Sequence, residues 1–198
     1  MTTLPATYTR AAVGLHWAIA LLIFTAFPLG LYMHGLPLSP NKLRLYNYHK
    51  WIGVTVLILA ILRVTLHVRR TTHRPPDVPA TAPKWEQFVA QAMHYLLYML
   101  IFAVPLSGWL TSSAQGFQTV WFGVIPLPDL VGKDKEMANV LKEIHKYLDY
   151  AMLALVGAHI AAALKHHFIA HDEILANMIP FLRRSRGKSA ANSARPSR

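Results

Sequence analysis

Eleven histidines and no cysteine stand in this 198-residue chain, and four of the histidines fall at intervals that metal chemistry can use. His145 and His159 are fourteen residues apart in the apolar run LKEIHKYLDYAMLALVGAHIAAALKHH. On an α-helix that interval covers about 21 Å of rise with about 40° of net rotation. Both imidazoles therefore share one face, one near each side of a hydrocarbon layer about 30 Å thick. Imidazoles at membrane depth are expensive and point first to function.

Flanking charges set the depth of the others. His49 lies twenty residues before Arg69 and His145 twenty before Lys165, so these two are level near one membrane face. His16 lies six residues after Arg10 and His159 six before Lys165, so these two are level near the opposite face. The four resolve into pairs His49/His145 and His16/His159. Two imidazoles on one iron make a six-coordinate b-type haem with no open position, suited to electron transfer rather than oxygen activation. The absence of cysteine excludes disulfides, iron–sulfur clusters and a covalent CxxCH haem, so two haems here would be held non-covalently.

Other residues fit the same reading. Gly30 is fourteen residues after His16, Gly53 is one turn after His49, and Gly157 is beside His159; small residues there let a flat macrocycle approach the backbone. Arg63, fourteen after His49, is an arginine within an apolar helix and wants a carboxylate, for which a haem propionate serves. His94, about ten residues into the third apolar segment, competes by depth with His16; a role beside the iron or at a quinone is the reading taken, with Gly108 fourteen residues on. Asp149, one turn after His145, is the acidic residue inside a predicted span; it can hydrogen-bond near the outer pair, relay a proton, or be solvated. Two alternatives stay open. The histidines could be core residues bonded to one another, or line a metal permease, although such pathways usually add carboxylate or sulfur ligands.

The elements that must position these residues are four apolar blocks, about 11–33, 46–68, 88–111 and 148–168, in a chain that is 54% hydrophobic and 15% charged. Each approaches or exceeds the ~20 residues that span a bilayer, and spanning segments must satisfy their backbone internally. The fold class expected is all-α, an integral membrane four-helix bundle. Helices are expected from about Arg10 to Met33 with a bend at Pro28, from Pro40 behind the cap Ser39 to Arg70, from Trp85 to Ser112 with a kink at Pro105, and from the cap Asp134 to His167. The first block is too long for a signal-peptide core and is kept as a helix. Residues 71–83 are proline-rich, and residues 113–138 form one long connection whose QTVWFGVIPLPDLVG stretch is apolar enough to lie at the interface. Residues 1–180 form the membrane domain; 181–198 are a basic, disordered tail.

Of the 20 Lys and Arg, 13 fall on the side of the termini and seven on the other, which places both termini in the cytoplasm by the positive-inside rule. No basic stripe interleaves with aromatics away from the membrane flanks, which argues against nucleic acid. Trp17 and Trp85 fall near the inner interface and Trp51, Trp109 and Trp121 near the outer, as an aromatic belt requires. Lys42, Arg44, Lys50, Lys142 and Lys146 flank the outer pair, and a net positive outer surface raises the encounter rate of an anion; ordinary loop solubility explains them equally.

With GLHW around His16, YHKWIG around His49, MHYLLYMLIFAVPLSGW in the third helix and AHIAAALKHHF from Ala158, the chain resembles the bacterial cytochrome b561 family over about residues 8–180. That family shares its di-haem core with the cytochrome b subunits of nickel hydrogenases and formate dehydrogenases. The resemblance implies one haem-ligating histidine each on the first and second helices and two on the fourth, which carries over as His16 with His159 and His49 with His145. Small stand-alone members resemble the superoxide oxidase type. This implies an inner-membrane enzyme that takes electrons from superoxide, or another donor at the outer face, and passes them to bound ubiquinone. The other reading is a membrane anchor that passes electrons from a partner dehydrogenase to quinone.

Overall fold

Capping chemistry sets where the helices begin. In the computed structural model, which describes residues 9–69 and 83–169, Thr9 Oγ1 accepts from the Ala12 amide at 3.3 Å and opens α1, Arg10–Gly35. Ser39 Oγ accepts from the Lys42 amide at 3.2 Å and opens α2, Pro40–Val68, with proline in the first turn. Proline is tolerated there because its missing N–H would be unpaired in any case. Asp134 Oδ1 accepts from the Met137 amide at 3.0 Å ahead of α4, Lys135–Phe168. The third helix, α3, Lys84–Ala114, follows Pro83 without a side-chain cap.

These are the four helices expected, with their ends moved by a few residues. The expected structure of residues 70–82 and of the tail beyond 169 lies outside the described residues, as do the domain limits at 180 and 181. The chain divides into two units, Met1–His159 and Ile160–Arg198. The first holds the architecture that follows. The second, as far as described, is the last part of α4, closed by the Ile169 amide on the Lys165 carbonyl at 2.9 Å.

All four helices are long and apolar enough to cross a membrane, and only 6–11% of their most apolar windows is buried inside the protein. Leu21, Phe88 and Val140 are among the large apolar side chains turned outward. In water such a surface would drive aggregation; against lipid tails it costs nothing, because the solvent is itself apolar. The inward core is narrow: Ala60, Leu100, Ile101 and Met152, with Leu97, Tyr98 and Leu155 packed round it. α1 packs closely on α2, and α2 on α3. The segment of α4 before His159 joins that core through Met152, Leu148, Leu155 and Val156.

The connection between α3 and α4 is more ordered than expected. Val120–Trp121 (β1) and Ile125–Pro126 (β2) pair antiparallel, Trp121 opposite Ile125. The turn uses positive φ at Phe122 (51°) and Gly123 (72°), the sense that matches the twist of a hairpin. Strands of two residues carry no readable alternation, which is why the sequence reads as a loop. The hairpin is tied down by polar contacts: Trp51 Nε1 donates to the Val120 carbonyl at 2.7 Å, Trp121 Nε1 to Thr55 Oγ1 at 3.3 Å, and Trp109 Nε1 to the Pro128 carbonyl at 3.1 Å. The expected aromatic belt on this side is thus also the hairpin's anchor.

Candidate functional site

Two levels of histidine lie between the helices, one on the hairpin side and one on the side of the α1 N-terminus. On the hairpin side, His49 of α2 faces His145 of α4 with ring centroids 6.3 Å apart and planes at 88°. On the other, His16 of α1 faces His159 of α4 at 6.4 Å and 70°. An iron held between two imidazoles sets such a distance: two metal–nitrogen bonds of about 2 Å, plus about 1 Å from nitrogen to ring centre on each side, give about 6 Å. Both pairs fit a haem iron held by two imidazoles. Among the described residues, no group of three or more His, Cys, Asp or Glu is arranged to hold a metal by itself. The donor sets are pairs, which suits a macrocycle that supplies the other four nitrogens.

At the hairpin-side level each ring is held at Nδ1. His49 Nδ1 lies 3.1 Å from the Ala26 carbonyl of α1, and a carbonyl can only accept, so Nδ1 carries the proton. His145 Nδ1 lies 2.8 Å from Ser107 Oγ of α3. His145 Nε2 is 3.5 Å from Asp149 Oδ2, beyond the usual range of a hydrogen bond. Two glycines clear space for these rings. A Cβ on Gly30 would stand 3.3 Å from His49 Cε1, and one on Gly108 only 3.0 Å from His145 Cε1. Gly30, expected beside a porphyrin edge, stands against the His49 ring. Gly53 faces Pro105 of α3 at 3.9 Å, an ordinary helix–helix contact, and a Cβ on Gly157 would meet nothing within 4 Å.

The other level holds three rings rather than two. His94 of α3 lies 5.3 Å from His159 at 80°, nearer than His16, and its Nδ1 is 2.8 Å from the carbonyl of Ala90 on its own helix. By depth His94 competes with His16, and its ring is the nearer of the two to His159. The distance nevertheless favours His16 as the iron partner, since 5.3 Å is about 1 Å too close for an intervening iron. Arg63 of α2 was expected to seek a carboxylate. Its protein partners are the Tyr98 hydroxyl, 3.1 Å from Nε, and the Ala12 carbonyl, 3.1 Å from Nη1, so one guanidinium joins α1, α2 and α3. Tyr98 was missed because a tyrosine in an apolar helix reads as core.

The five cations named for the outer face are not equivalent. Lys42 donates to the His34 carbonyl at 3.4 Å, and Lys50 to Ser112 Oγ at 3.3 Å and the Gln118 carbonyl at 3.4 Å. Lys146 pairs with Glu143. Arg44 and Lys142 are exposed. Two of the five, Lys42 and Lys50, therefore hold connecting segments in place.

Comparison with known proteins shows the family. Residues 7–181 match the family model described as prokaryotic cytochrome b561. The chain is 30% identical over 179 residues to cytochrome b561 homolog 2 of Escherichia coli (strain K12), covering 90% of this chain and 94% of that protein. It is 28% identical to the probable superoxide oxidase CybB of Yersinia pestis, covering 87% and 96%. It is likewise 28% identical to cytochrome b561 homolog 1 of Escherichia coli, covering 87% and 97%. Four spanning helices, paired imidazoles at two levels and a match over most of the length agree: the chain belongs to the prokaryotic cytochrome b561 family of multi-pass membrane proteins that carry b-type haem.

Proposed function

We propose that this cytochrome holds two b haems, one between His49 and His145 and one between His16 and His159, and moves electrons from superoxide at the outer face to ubiquinone. The observation that carries the reading is the matched ring separation, 6.3 and 6.4 Å, at two levels joined by one helix. Reversible one-electron oxidation and reduction is the chemistry that a bis-imidazole haem supplies. The similarity to a probable superoxide oxidase supports the choice of donor. Both termini and the tail from 181 onward lie in the cytoplasm on this reading, by the bias of 13 Lys and Arg against seven.

The chain's own residues then do limited work. His49 and His145 hold the entry site beneath the hairpin, and exposed Arg44 and Lys142 draw the anion towards it. No side chain attacks the substrate, because outer-sphere transfer needs only proximity and a favourable potential. Two superoxide ions give two electrons and become dioxygen; ubiquinone takes both with two protons and becomes ubiquinol. His94, third ring at the far level, is the residue assigned to deliver a proton there. Arg63 and Tyr98 give that level a fixed positive charge and a hydroxyl suited to a propionate.

The test uses the purified protein. Pyridine-haemochrome analysis is expected to give two haems per chain, and superoxide is expected to drive ubiquinone reduction. Two haems without that turnover, together with co-purification of a soluble dehydrogenase, would replace the enzyme reading with a membrane anchor. A preparation with no Soret band would overturn both.

A further inference from the structure

We infer that Ser107 and Gly108 of α3 form the seat of His145, and that Ser107 acts as its positioning residue by fixing which ring nitrogen carries the proton. The inference rests on the proposed reading of His145 as an iron ligand. α3 supplies neither imidazole of the hairpin-side pair, yet it makes the closest polar contact to it.

Counting protons decides the direction. Ser107 Oγ lies 2.8 Å from the Val104 carbonyl and 2.8 Å from His145 Nδ1. The carbonyl can only accept, and the hydroxyl has one proton, so that proton goes to Val104. The oxygen is then an acceptor toward His145, and Nδ1 must carry the ring's proton. Nε2 is left with its lone pair, as a metal ligand requires. Ser107 is buried at 6% exposure, so water does not compete for the oxygen. Asp149 lies beside the opposite nitrogen, Nε2, at 3.5 Å, and does not share the contact.

Gly108 supplies the space. A Cβ there would stand 3.0 Å from His145 Cε1, so any other residue makes the ring give by a few tenths of an ångström. The neighbouring pair SG thus works as one unit, the hydroxyl orienting the ring and the missing side chain admitting it. The partner ring, His49, receives the same treatment from a backbone carbonyl, which no substitution removes. The two ligands of this level differ in that one anchor is genetic and the other is not.

An acceptor on Nδ1–H makes the imidazole a stronger donor and favours ferric iron. Ser107→Ala is therefore expected to keep two haems per chain while raising one of the two midpoint potentials. The reduced-to-oxidised ratio of that centre at a fixed potential should rise about tenfold, which is about 59 mV for a one-electron couple. Ser107→Thr, which keeps the hydroxyl, should behave as the unaltered protein. Loss of one haem in Ser107→Ala but not in Ser107→Thr would support the same role. Unmoved potentials in a two-haem Ser107→Ala protein, or equal behaviour of the two variants, would overturn it. Fewer than two haems in the unaltered protein would instead sink the two-haem reading on which it rests.

Discussion

The two histidine levels are built on different plans. The hairpin-side level has two rings, each with Nδ1 held by an acceptor and each set against a glycine. A tethered hairpin lies beside it, with Trp51 and Phe122 rings 5.4 Å apart. The other level has three rings and a guanidinium shared among three helices. The first is preorganised for one arrangement, which suits an entry point where only an electron crosses. The second carries a third imidazole, which on the proposed function suits a terminus where a two-electron, two-proton acceptor must be served.

Substituting the rings tests the contrast most severely. His49→Ala or His145→Ala should halve the haem-to-chain ratio and abolish superoxide-driven quinone reduction. At the other level the rings should part company: His16→Ala should lose a haem, whereas His94→Ala should keep both and slow quinol formation. Loss of a haem in His94→Ala but not in His16→Ala, read by pyridine haemochrome, would exchange their roles. The glycines should give a graded response. Gly108→Ala, at 3.0 Å from a ring, should weaken haem retention by about tenfold or more, Gly30→Ala less, and Gly157→Ala not at all; retention during detergent dilution measures this.

Arg63→Ala should act on the second level alone. Removing a positive charge near an iron favours its oxidised form, so one midpoint potential should fall in a redox titration while the other stays. The smallest effect belongs to the hairpin. Trp51→Phe deletes the 2.7 Å bond to the Val120 carbonyl and should cost about 1 kcal/mol, seen as a lower unfolding midpoint in detergent with both haems retained.

The sequence by itself was enough for the four spans, because apolar runs of this length are intolerable in water and sufficient in lipid. It was also enough for two helix starts, since Ser39 and Asp134 are side chains that satisfy orphan amides; the Thr9 cap on the Ala12 amide is shown by the structure. The levels of His16, His49, His145 and His159 followed from helical rise and flanking charge. What spacing could not carry is lateral. Whether His16 or His94 stands at iron-bridging distance from His159 depends on the angles between α1, α3 and α4. That Ser107 meets His145 thirty-eight residues away, that Arg63 finds Tyr98 and Ala12, and that residues 120–126 close into a hairpin are likewise decisions of packing. Rise along a helix is local and periodic, so it can be read from one chain segment; the meeting of side chains from different helices depends on every contact that sets their separation and rotation, and only the assembled bundle determines it.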